Sequence, residues 1–415
     1  MIELPSLETL APRVIGKPDG DVIYAFPSEN TDLVRVDYLF EAGSAYQPQL
    51  LCAAAANKLQ TVATRRMDAA TLAEFLDYRG VVVETSNDIY QSCITAYMLR
   101  RFAPEVLPVM EQMIGEPTFC EGDFVPWKEK KRQEIASLEM QSNQIARRLF
   151  YQQLFGSEHP LGRYATVQDV DRLDLETVRQ YHEQHYRLDG CRRVVAGNVD
   201  GLEFLFMATG HGTRYAKGGS LYPAKPIPVP AEHPHITMPN SPQTSVRVGR
   251  VLPLEWSSTD YARLMLLTTA LGGYFGSRLM QNIREEKGYT YGIYARTQIY
   301  RGVIVFYITA NVVAGAIGEV EKEIAGELQK LIDQPISREE LELVKTVVAS
   351  DFVRSVDGVF ERAARYVDMC GACVDERLTT HLQEAIKEAT ALQLQELAGR
   401  LLKPSDMLFC SAGAD

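Results

Sequence analysis

The sequence has few histidines, no long apolar run and no excess of positive charge. The last two features argue against a membrane-spanning protein and against a protein that binds nucleic acid. No stretch approaches the ~18 consecutive apolar residues of a membrane span. The 43 lysines and arginines face 54 aspartates and glutamates, and the net charge of −11 opposes binding to nucleic acid or to anionic membranes. The first residues lack the basic and apolar stretches of a secretory signal, so we expect a cytoplasmic protein.

The seven cysteines are an odd number scattered along a long chain, which is not the pattern of a disulfide framework. Cys370 and Cys373 form one CxxC pair. A structural zinc site needs about four ligands, and the only histidine near this pair is His381. Residues 361–369 read as a helix, whereas a redox CxxC follows a strand. We interpret the pair as small residues packed at a helix end, with metal or redox use as the alternative.

A proline-rich segment divides the chain almost evenly. Residues 216–242 contain seven prolines and two glycines, a composition that favours an extended, semi-rigid linker over a helix or a central strand. We therefore predict an N-terminal domain over residues 1–216, a linker over 217–242 and a C-terminal domain over 243–415.

The two halves resemble each other in the order of their predicted elements. Each opens with an alternating strand, at residues 33–44 and 244–254, continues through helices to two neighbouring strands, and ends in long helices. The triplet Val-Arg-Val recurs at Val34 and Val246 in positions that we take as equivalent. This order predicts an α+β fold with an antiparallel sheet in each half, and it indicates a tandem duplication.

The most informative stretch is "GGYFGSRLMQNIREEKGYTYGIYA", residues 272–295. Arg284 and Tyr291 lie on opposite sides of Gly288, which we expect to reverse the chain tightly. Gly272 and Gly273 read as a turn that is too short to hold phosphates. In isolation the stretch also fits an exposed arginine and a half-buried tyrosine on a strand.

With the duplication in view, the chain resembles the pitrilysin and mitochondrial-processing-peptidase family, the inverted zincins, along nearly its whole length. Residues 159–200 are similar to the segment that closes the N-terminal domains of the family, and residues 272–295 are similar to its C-terminal motif. The resemblance implies two tandem similar α+β domains, each a mostly antiparallel sheet with helices packed on one side. Together these domains form half of a clamshell.

Zinc peptidases of this family carry an H-x-x-E-H helix, and this sequence contains no such motif. The resemblance assigns Ala54, Asn57 and Lys58 to the metal and general-base positions, and Glu134 to the third ligand. Alanine has no donor atom, asparagine has no useful basicity, and an ammonium group repels a dication. We therefore expect no metal site and no cofactor in this chain, with zinc held by a partner subunit.

Two other histidines, His182 and His185, stand at i and i+3, where both can face one side of a helix. The family carries a His-Tyr pair at the place of His185 and Tyr186 for structural reasons. A structural role is therefore our interpretation for both histidines.

The resemblance assigns substrate binding to Arg284 and Tyr291, which would reach across the closed clamshell to the peptide. A phenol hydroxyl can donate to a developing oxyanion, and a guanidinium can donate to peptide carbonyls without losing its charge. The first hypothesis is a non-catalytic, substrate-binding subunit of a heterodimeric zinc metallopeptidase. It would be inactive alone, pair with an HxxEH subunit and accept an unfolded peptide as an extra strand.

Two alternatives remain open from the sequence. One is a structural or peptide-binding subunit with no proteolytic role, like the core subunits of respiratory complexes in this family. The other is a homodimeric peptidase that uses different ligands, which the simultaneous loss of all three motif residues disfavours.

Overall fold

The computed structural model describes residues 2–16, 22–202, 233–239 and 241–414, which fold into two sheets surrounded by helices. The strands are β1 Arg13–Gly16, β2 Val22–Pro27, β3 Leu33–Phe40, β4 Val82–Asn87, β5 Ser92–Leu99, β6 Arg192–Gly197, β7 His235–Thr237, β8 Gln243–Leu252, β9 Thr290–Tyr300, β10 Val303–Val313 and β11 Leu408–Gly413.

The α-helices fill the intervals between these strands. They are α1 Leu7–Leu10, α2 Cys52–Leu59, α3 Ala69–Tyr78, α4 Ala103–Gly115, α5 Glu121–Glu139, α6 Ser142–Phe155, α7 Val167–Arg172, α8 Leu175–His185, α9 Thr259–Gly272, α10 Ile317–Asp333, α11 Arg338–Arg354, α12 Val359–Ala372, α13 Glu376–Glu388 and α14 Ala391–Leu401. A π-helix spans Met280–Glu286. Within the described ranges, none of the helices combines the length and the apolar character that a membrane span requires.

The two sheets share one strand order, apart from β1, which is an additional edge strand of the first sheet. The first runs β1-β2-β6-β3-β5-β4, and the second runs β7-β11-β8-β10-β9. The last strand of the first half, β6, lies parallel to β2 and antiparallel to β3. The last strand of the second half, β11, likewise lies parallel to β7 and antiparallel to β8. The remaining pairs are antiparallel. The α+β class with two similar, mostly antiparallel sheets is therefore confirmed, and the shared order supports a duplication.

The strand register corrects the expected equivalence of the two Val-Arg-Val triplets. Ala196 in β6 pairs with Arg35, and Ala412 in β11 pairs with Ser245. Each alanine precedes a glycine of positive φ at the end of its strand, so we treat the two alanines as counterparts. The counterpart of Arg35 is then Ser245 and not Arg247. A shift of two residues leaves each side chain on the same face of the sheet. The alternation of side chains along the sequence therefore does not reveal this shift in register.

Part of the predicted linker belongs to the second sheet. Strand β7, His235–Thr237, lies inside the range 217–242 and pairs in parallel with β11 at the sheet edge. A proline-rich segment can supply an edge strand because the unpaired side of such a strand needs no donors. Residues 217–232, and the predicted boundary at 216, lie outside the described residues.

Each sheet buries one face against the helices of its own half. In the first half, Val36, Tyr38 and Ile94 belong to a core that also contains residues of α2, α4 and α8. In the second half, Phe306 and Ile308 belong to a core formed with α9 to α11 and α13 to α14. Alternation along the strands decides which side chains enter these cores.

The opposite face of each sheet is covered by a helix from the other half. Helix α6 of the first half packs on β8 and β11, and its Phe150 lies in one cluster with Val305 and Leu408. Helix α12 of the second half packs on β2, β3 and β6, where Val367 joins a cluster with Val194. Each half therefore completes the burial of the other half's sheet.

Candidate functional site

Arg284 lies on the π-helix Met280–Glu286, directly before the predicted chain reversal. The wider π turn is visible where the Lys287 N–H donates to the Asn282 carbonyl at 3.2 Å. Gly288 follows with φ of +67°, a left-handed conformation that glycine adopts without steric cost. The chain therefore reverses at Gly288 as expected. Single π-helical segments occur frequently at functional sites.

Buried polar contacts hold the π-helix in place. The Asn282 amide donates to Glu323 at 2.9 Å and to Glu327 at 2.7 Å. One turn earlier, the Arg278 guanidinium donates two hydrogen bonds to Glu340, each 2.8 Å long. Bidentate and charge-assisted contacts of this kind restrict orientation as well as position. The backbone that presents Arg284 is therefore anchored to α10 and α11.

The Arg284 side chain differs from its charged neighbours in having weak partners. Arg278 and Lys287 both pair with carboxylates of other helices. Among the described residues, the one carboxylate that Arg284 reaches is that of Glu285, its chain neighbour, at 3.4 Å, and its guanidinium lies 4.5 Å from the centre of the exposed Phe275 ring. Its guanidinium makes no hydrogen bond to any residue that the structure describes. The N–H donors of the Arg284 guanidinium are therefore available to an acceptor outside this chain.

A β-bulge in the edge strand β9 presents Tyr291 to solvent. The pairing with β10 shifts by one residue there, so Tyr291 and Gly292 together oppose Asn311. Thr290 Oγ lies 2.6 Å from the Asn311 carbonyl oxygen and accepts the Gly292 N–H at 3.1 Å, which stabilises the bulge. Tyr291 is 86% exposed, and its hydroxyl has no hydrogen-bond partner within the described ranges. Bulges next to active sites commonly redirect a side chain in this way.

The helix predicted to correspond to the zinc helix is α2, and its polar residues have structural partners. Asn57 is buried and donates to the Ser86 carbonyl at 2.7 Å. Gln60 lies 3.3 Å from the Asn57 side-chain oxygen and 3.2 Å from His182 Nε2. These hydrogen bonds form a continuous buried network that links β4, α2 and α8. Asn57, which the resemblance assigns to the general-base position, is therefore a buried packing residue in this structure.

The remaining positions of the predicted zinc site do not fit a zinc ion. Ala54 offers a methyl group, and Lys58 presents an exposed ammonium. Glu134, the expected third ligand, lies exposed on α5 and pairs with Lys131 at 2.8 Å. Zinc needs several N, O or S donors that are free of protons, and this set contains one carboxylate. Across residues 2–16, 22–202, 233–239 and 241–414, no three His, Cys, Asp or Glu side chains cluster closely enough to hold a metal.

The two histidines of α8 have packing partners, in keeping with the structural role interpreted from the sequence. His182 is buried, stacks on Tyr186, and its burial lowers the pKa of the imidazole to about 4. His185 Nδ1 lies 3.1 Å from the Glu41 carbonyl oxygen, and burial also lowers its pKa.

The CxxC pair lies at the end of α12, as interpreted from the sequence. Neither cysteine forms a disulfide within the described residues, and Cys370 belongs to the cluster between α12 and the first sheet. The Arg192 guanidinium donates to the Cys370 sulfur at 2.8 Å, yet burial raises the pKa of this thiol. Cys373 has a φ of +54° and ends the helix.

Comparison with known proteins connects this geometry to a family. A family model for the "Peptidase M16 inactive domain" matches residues 172–348, which include Arg284 and Tyr291. The chain is 25% identical over 343 residues to the "Uncharacterized zinc protease YmxG" of Bacillus subtilis, covering 81% of each chain. It superposes on the peptidase M16 inactive domain from Pseudomonas fluorescens with a TM-score of 0.83 and 19% identity, covering 97% of this chain and 98% of the other. Residues 172–348 therefore match the inactive domain of peptidase M16, and the chain as a whole has the fold of M16-like proteins.

The fold also occurs in a chain of an assembly, Complex III2. A chain of the Complex III2 structure from Candida albicans superposes with a TM-score of 0.76 and 12% identity, covering 97% of this chain and 95% of that one. The matching family model describes the inactive domain, and the residues that the resemblance assigns to the metal positions, Ala54, Asn57 and Lys58, include no imidazole, thiolate or carboxylate. The chain is therefore a non-catalytic, M16-like subunit.

Sequence reasoning proposed Arg284 and Tyr291 as site residues but did not predict the π-helix and the β-bulge on which they lie. One signal for the bulge was available, since an isolated glycine inside a strand pattern, here Gly292, often marks a bulge. The π-helix left no comparable signal. It depends on contacts of Asn282 with α10, which is distant in the sequence.

Proposed function

We propose that this chain is the substrate-binding, non-catalytic subunit of a heterodimeric zinc metallopeptidase. It supplies Arg284 and Tyr291 to an active site whose zinc is held by a homologous HxxEH subunit. The substrate is an unfolded peptide that adds as an extra strand to a sheet edge.

One observation carries the proposal. Arg284 is the cation of its segment without a cross-helix carboxylate, and Tyr291 projects 86% exposed from a bulge that Thr290 stabilises. A tyrosine at this exposure contributes little to the fold, whereas the surrounding polar contacts hold its backbone in one conformation. A fixed backbone with free donor groups is the arrangement expected of a site that waits for its ligand.

In the proposed reaction the residues of this chain bind and polarise the peptide. The Arg284 guanidinium donates to backbone carbonyls of the substrate and fixes their position. The Tyr291 hydroxyl donates to the scissile carbonyl oxygen as negative charge develops on it. The partner's zinc would supply the activated water. Neither side chain of this chain exchanges a proton, so both act by orientation and electrostatics.

The competing function is a structural or peptide-binding subunit without proteolysis. The likeness to a chain of the Complex III2 structure is the observation that favours it. In that case Arg284 and Tyr291 would be inherited features, and their removal would change nothing measurable in catalysis.

The first prediction distinguishes these two functions with a variant that lacks only the hydroxyl oxygen of Tyr291. The pair is reconstituted from this chain and the HxxEH subunit recovered with it by affinity capture, and cleavage of an unfolded peptide is measured at steady state. Tyr291→Phe should lower kcat by roughly a hundred- to a thousandfold, the usual effect of losing one oxyanion donor. Complex formation, followed by gel filtration, should stay unchanged because the ring is retained.

Two further variants complete the test. Tyr294→Phe removes a hydroxyl from the same strand, at a tyrosine that is 42% exposed, and should leave kcat unchanged. Arg284→Lys keeps the charge but loses the planar fork, and it should impair turnover. Wild-type turnover in the Tyr291→Phe complex would exclude the proposed role and leave the structural subunit as the better account.

A further inference from the structure

A cavity separate from the Arg284 and Tyr291 segment opens between the two halves. Its volume is about 820 Å³, within the range of small-molecule sites. One face of α12 forms its longest wall, with contributions from the start of β6, the N-terminal residues 7–12 and the start of α13. The wall residues of α12 are Arg362, Arg365, Tyr366, Met369, Cys370 and Cys373.

The charged side chains that line this cavity carry an excess of positive charge. Arg377 is neutralised, because it donates to both oxygens of Asp375. Arg362 donates only to the Gly358 and Thr9 carbonyl oxygens. Neither Arg362 nor Arg365 forms an ion pair with a carboxylate in the described part of the chain. The cavity thus presents two guanidinium groups that form no ion pair in this part of the chain, although the Asp368 carboxylate acts on Arg365 at longer range, in a protein of net charge −11.

Arg365 is the more enclosed of these two cations. Its guanidinium lies 5.2 Å from the centre of the Phe352 ring and donates to Thr379 Oγ at 3.2 Å. Burial lowers the pKa of Arg365 because the surroundings disfavour its charge. A bound anion would offset that penalty, since a buried cation is stabilised by an opposite charge close by.

The remainder of the lining is largely apolar. Leu7, Leu10, Val356 and Met369 contribute aliphatic surface, and Trp256 contributes an indole ring. The acidic groups Glu8 and Glu376 line the cavity as well, but both residues are solvent-exposed. Apolar walls with a few fixed polar groups are the usual composition of a site for an organic ligand.

We propose that this cavity binds an amphipathic organic anion, a carboxylate with an apolar body. The carboxylate accepts hydrogen bonds from Arg362 and Arg365, which stand on adjacent turns of one helix face. The apolar body lies against Leu7, Met369 and Trp256. This site is independent of the peptidase proposal, because it uses none of the residues that contact the peptide.

The site also joins the two halves. Arg362 reaches the Thr9 carbonyl, and Gln383 on α13 donates to the Pro5 carbonyl at 2.9 Å. The N-terminal segment is thereby held over the cavity by helices of the second half. A ligand that contacts both sides adds to this connection and raises the thermal stability of the whole chain.

The experiment uses decanoate, decanol and decyltrimethylammonium as probes that share one apolar chain and differ in charge. Isothermal titration of the full chain should show saturable binding of decanoate, at least roughly tenfold tighter than decanol, with no binding of the cation. Arg365→Gln should weaken decanoate roughly tenfold, the usual effect of losing one charge-assisted hydrogen bond. Arg147→Gln, an exposed arginine of α6 that does not line the cavity, is the matched control.

A second readout needs no substitution. Cys373 lines the cavity, and Cys120 is a similarly half-buried cysteine elsewhere on the surface. Decanoate at about ten times its Kd should slow alkylation of Cys373 by iodoacetamide roughly tenfold, and peptide mapping should show Cys120 unaffected.

Equal binding of decanoate and decanol, or an Arg365→Gln variant with unchanged affinity, would overturn the anion site. Unprotected Cys373 in the presence of saturating decanoate would overturn its location. None of these measurements depends on a peptidase partner, so a failure here leaves the proposed function untouched.

Discussion

At the scale of single residues, the positions in α2 that the resemblance assigns to catalysis have structural partners. A glutamate acting as a general base must be free to accept a proton, whereas Asn57 is committed to the Ser86 carbonyl. The neighbouring Gln60 bridges Asn57 and His182, and all three are buried. The polar groups that remain beneath this helix now satisfy each other.

Neutral His182 makes the stability of the protein depend on pH. Burial lowers the imidazole pKa to about 4, from about 6.5 in the unfolded chain. Between these values the unfolded chain binds the extra proton, so the free energy of unfolding falls as the pH falls. We expect a loss of about 2 kcal/mol between pH 7 and pH 5 from this residue. His185 contributes with the same sign, because burial also lowers its pKa.

Urea unfolding at pH 7, 6 and 5 measures this dependence. The variant His182→Gln keeps a donor for Gln60 and carries no titrating group, so its midpoint should vary less with pH than that of the wild type. An equally steep decline in the variant would show that other groups control acid stability.

At the scale of elements, the strand that carries Tyr291 is positioned by a close approach of helix α9. Gly272, predicted to form a turn, is in fact the buried last residue of α9. A β-carbon at Gly272 would lie 2.5 Å from the Ala295 nitrogen in β9. Only a glycine therefore allows the helix and the strand to pack at this distance.

Gly272→Ala should destabilise the protein by about 1–3 kcal/mol, because the extra methyl group must displace backbone. The same substitution at Gly326, inside α10, meets no atom within 4 Å. Gly326→Ala should therefore stabilise the protein by about 0.5–1 kcal/mol through helix propensity. Thermal unfolding of the two variants side by side checks both signs. Equal shifts would mean that the α9 contact is not restrictive.

At the scale of the whole molecule, one buried arginine joins the tip of the β9–β10 hairpin to the first half. Arg301 donates to Glu41 at 3.0 Å and to the Tyr46 hydroxyl at 2.8 Å. Its Nε reaches the Gly371 carbonyl at 3.3 Å, and its guanidinium lies 4.9 Å from the centre of the Tyr90 ring. These contacts add to the connection between the halves that α6 and α12 make, since each of these helices packs on the sheet of the other half.

Arg301→Gln should lower the free energy of unfolding by about 3 kcal/mol, the lower end of the effect of breaking a buried pair, because Glu41 keeps partial exposure. Arg250→Gln is the matched control. Arg250 pairs with Asp406 at 2.6 Å nearer the surface, and its loss should have an effect below about 1 kcal/mol.

Differential scanning calorimetry compares these two variants under identical conditions. Arg301→Gln should lower Tm clearly more than Arg250→Gln does. Similar small shifts in both would show that the halves are held by the exchanged helices and not by this cation.

Local rules in the sequence determined much of this protein. The alternating pattern of residues 33–44 predicted strand β3, because successive side chains of a strand point to opposite faces of the sheet. The spacing of Arg284, Gly288 and Tyr291 predicted a helix, a reversal and a strand. The family resemblance assigned Ala54 and Lys58 to ligand positions, and the chemistry of these side chains then led us to expect no zinc there.

The tertiary structure decided what depends on residues far apart in the chain. The proline-rich strand β7 exists because β11 offers it a partner, and α6 and α12 exchange because each covers the other half's sheet. The register between equivalent strands, and the anchoring of Arg284 through Asn282 to α10, are likewise set by distant contacts. Periodicity reports which face of an element is apolar, but it does not report which surface that face will meet.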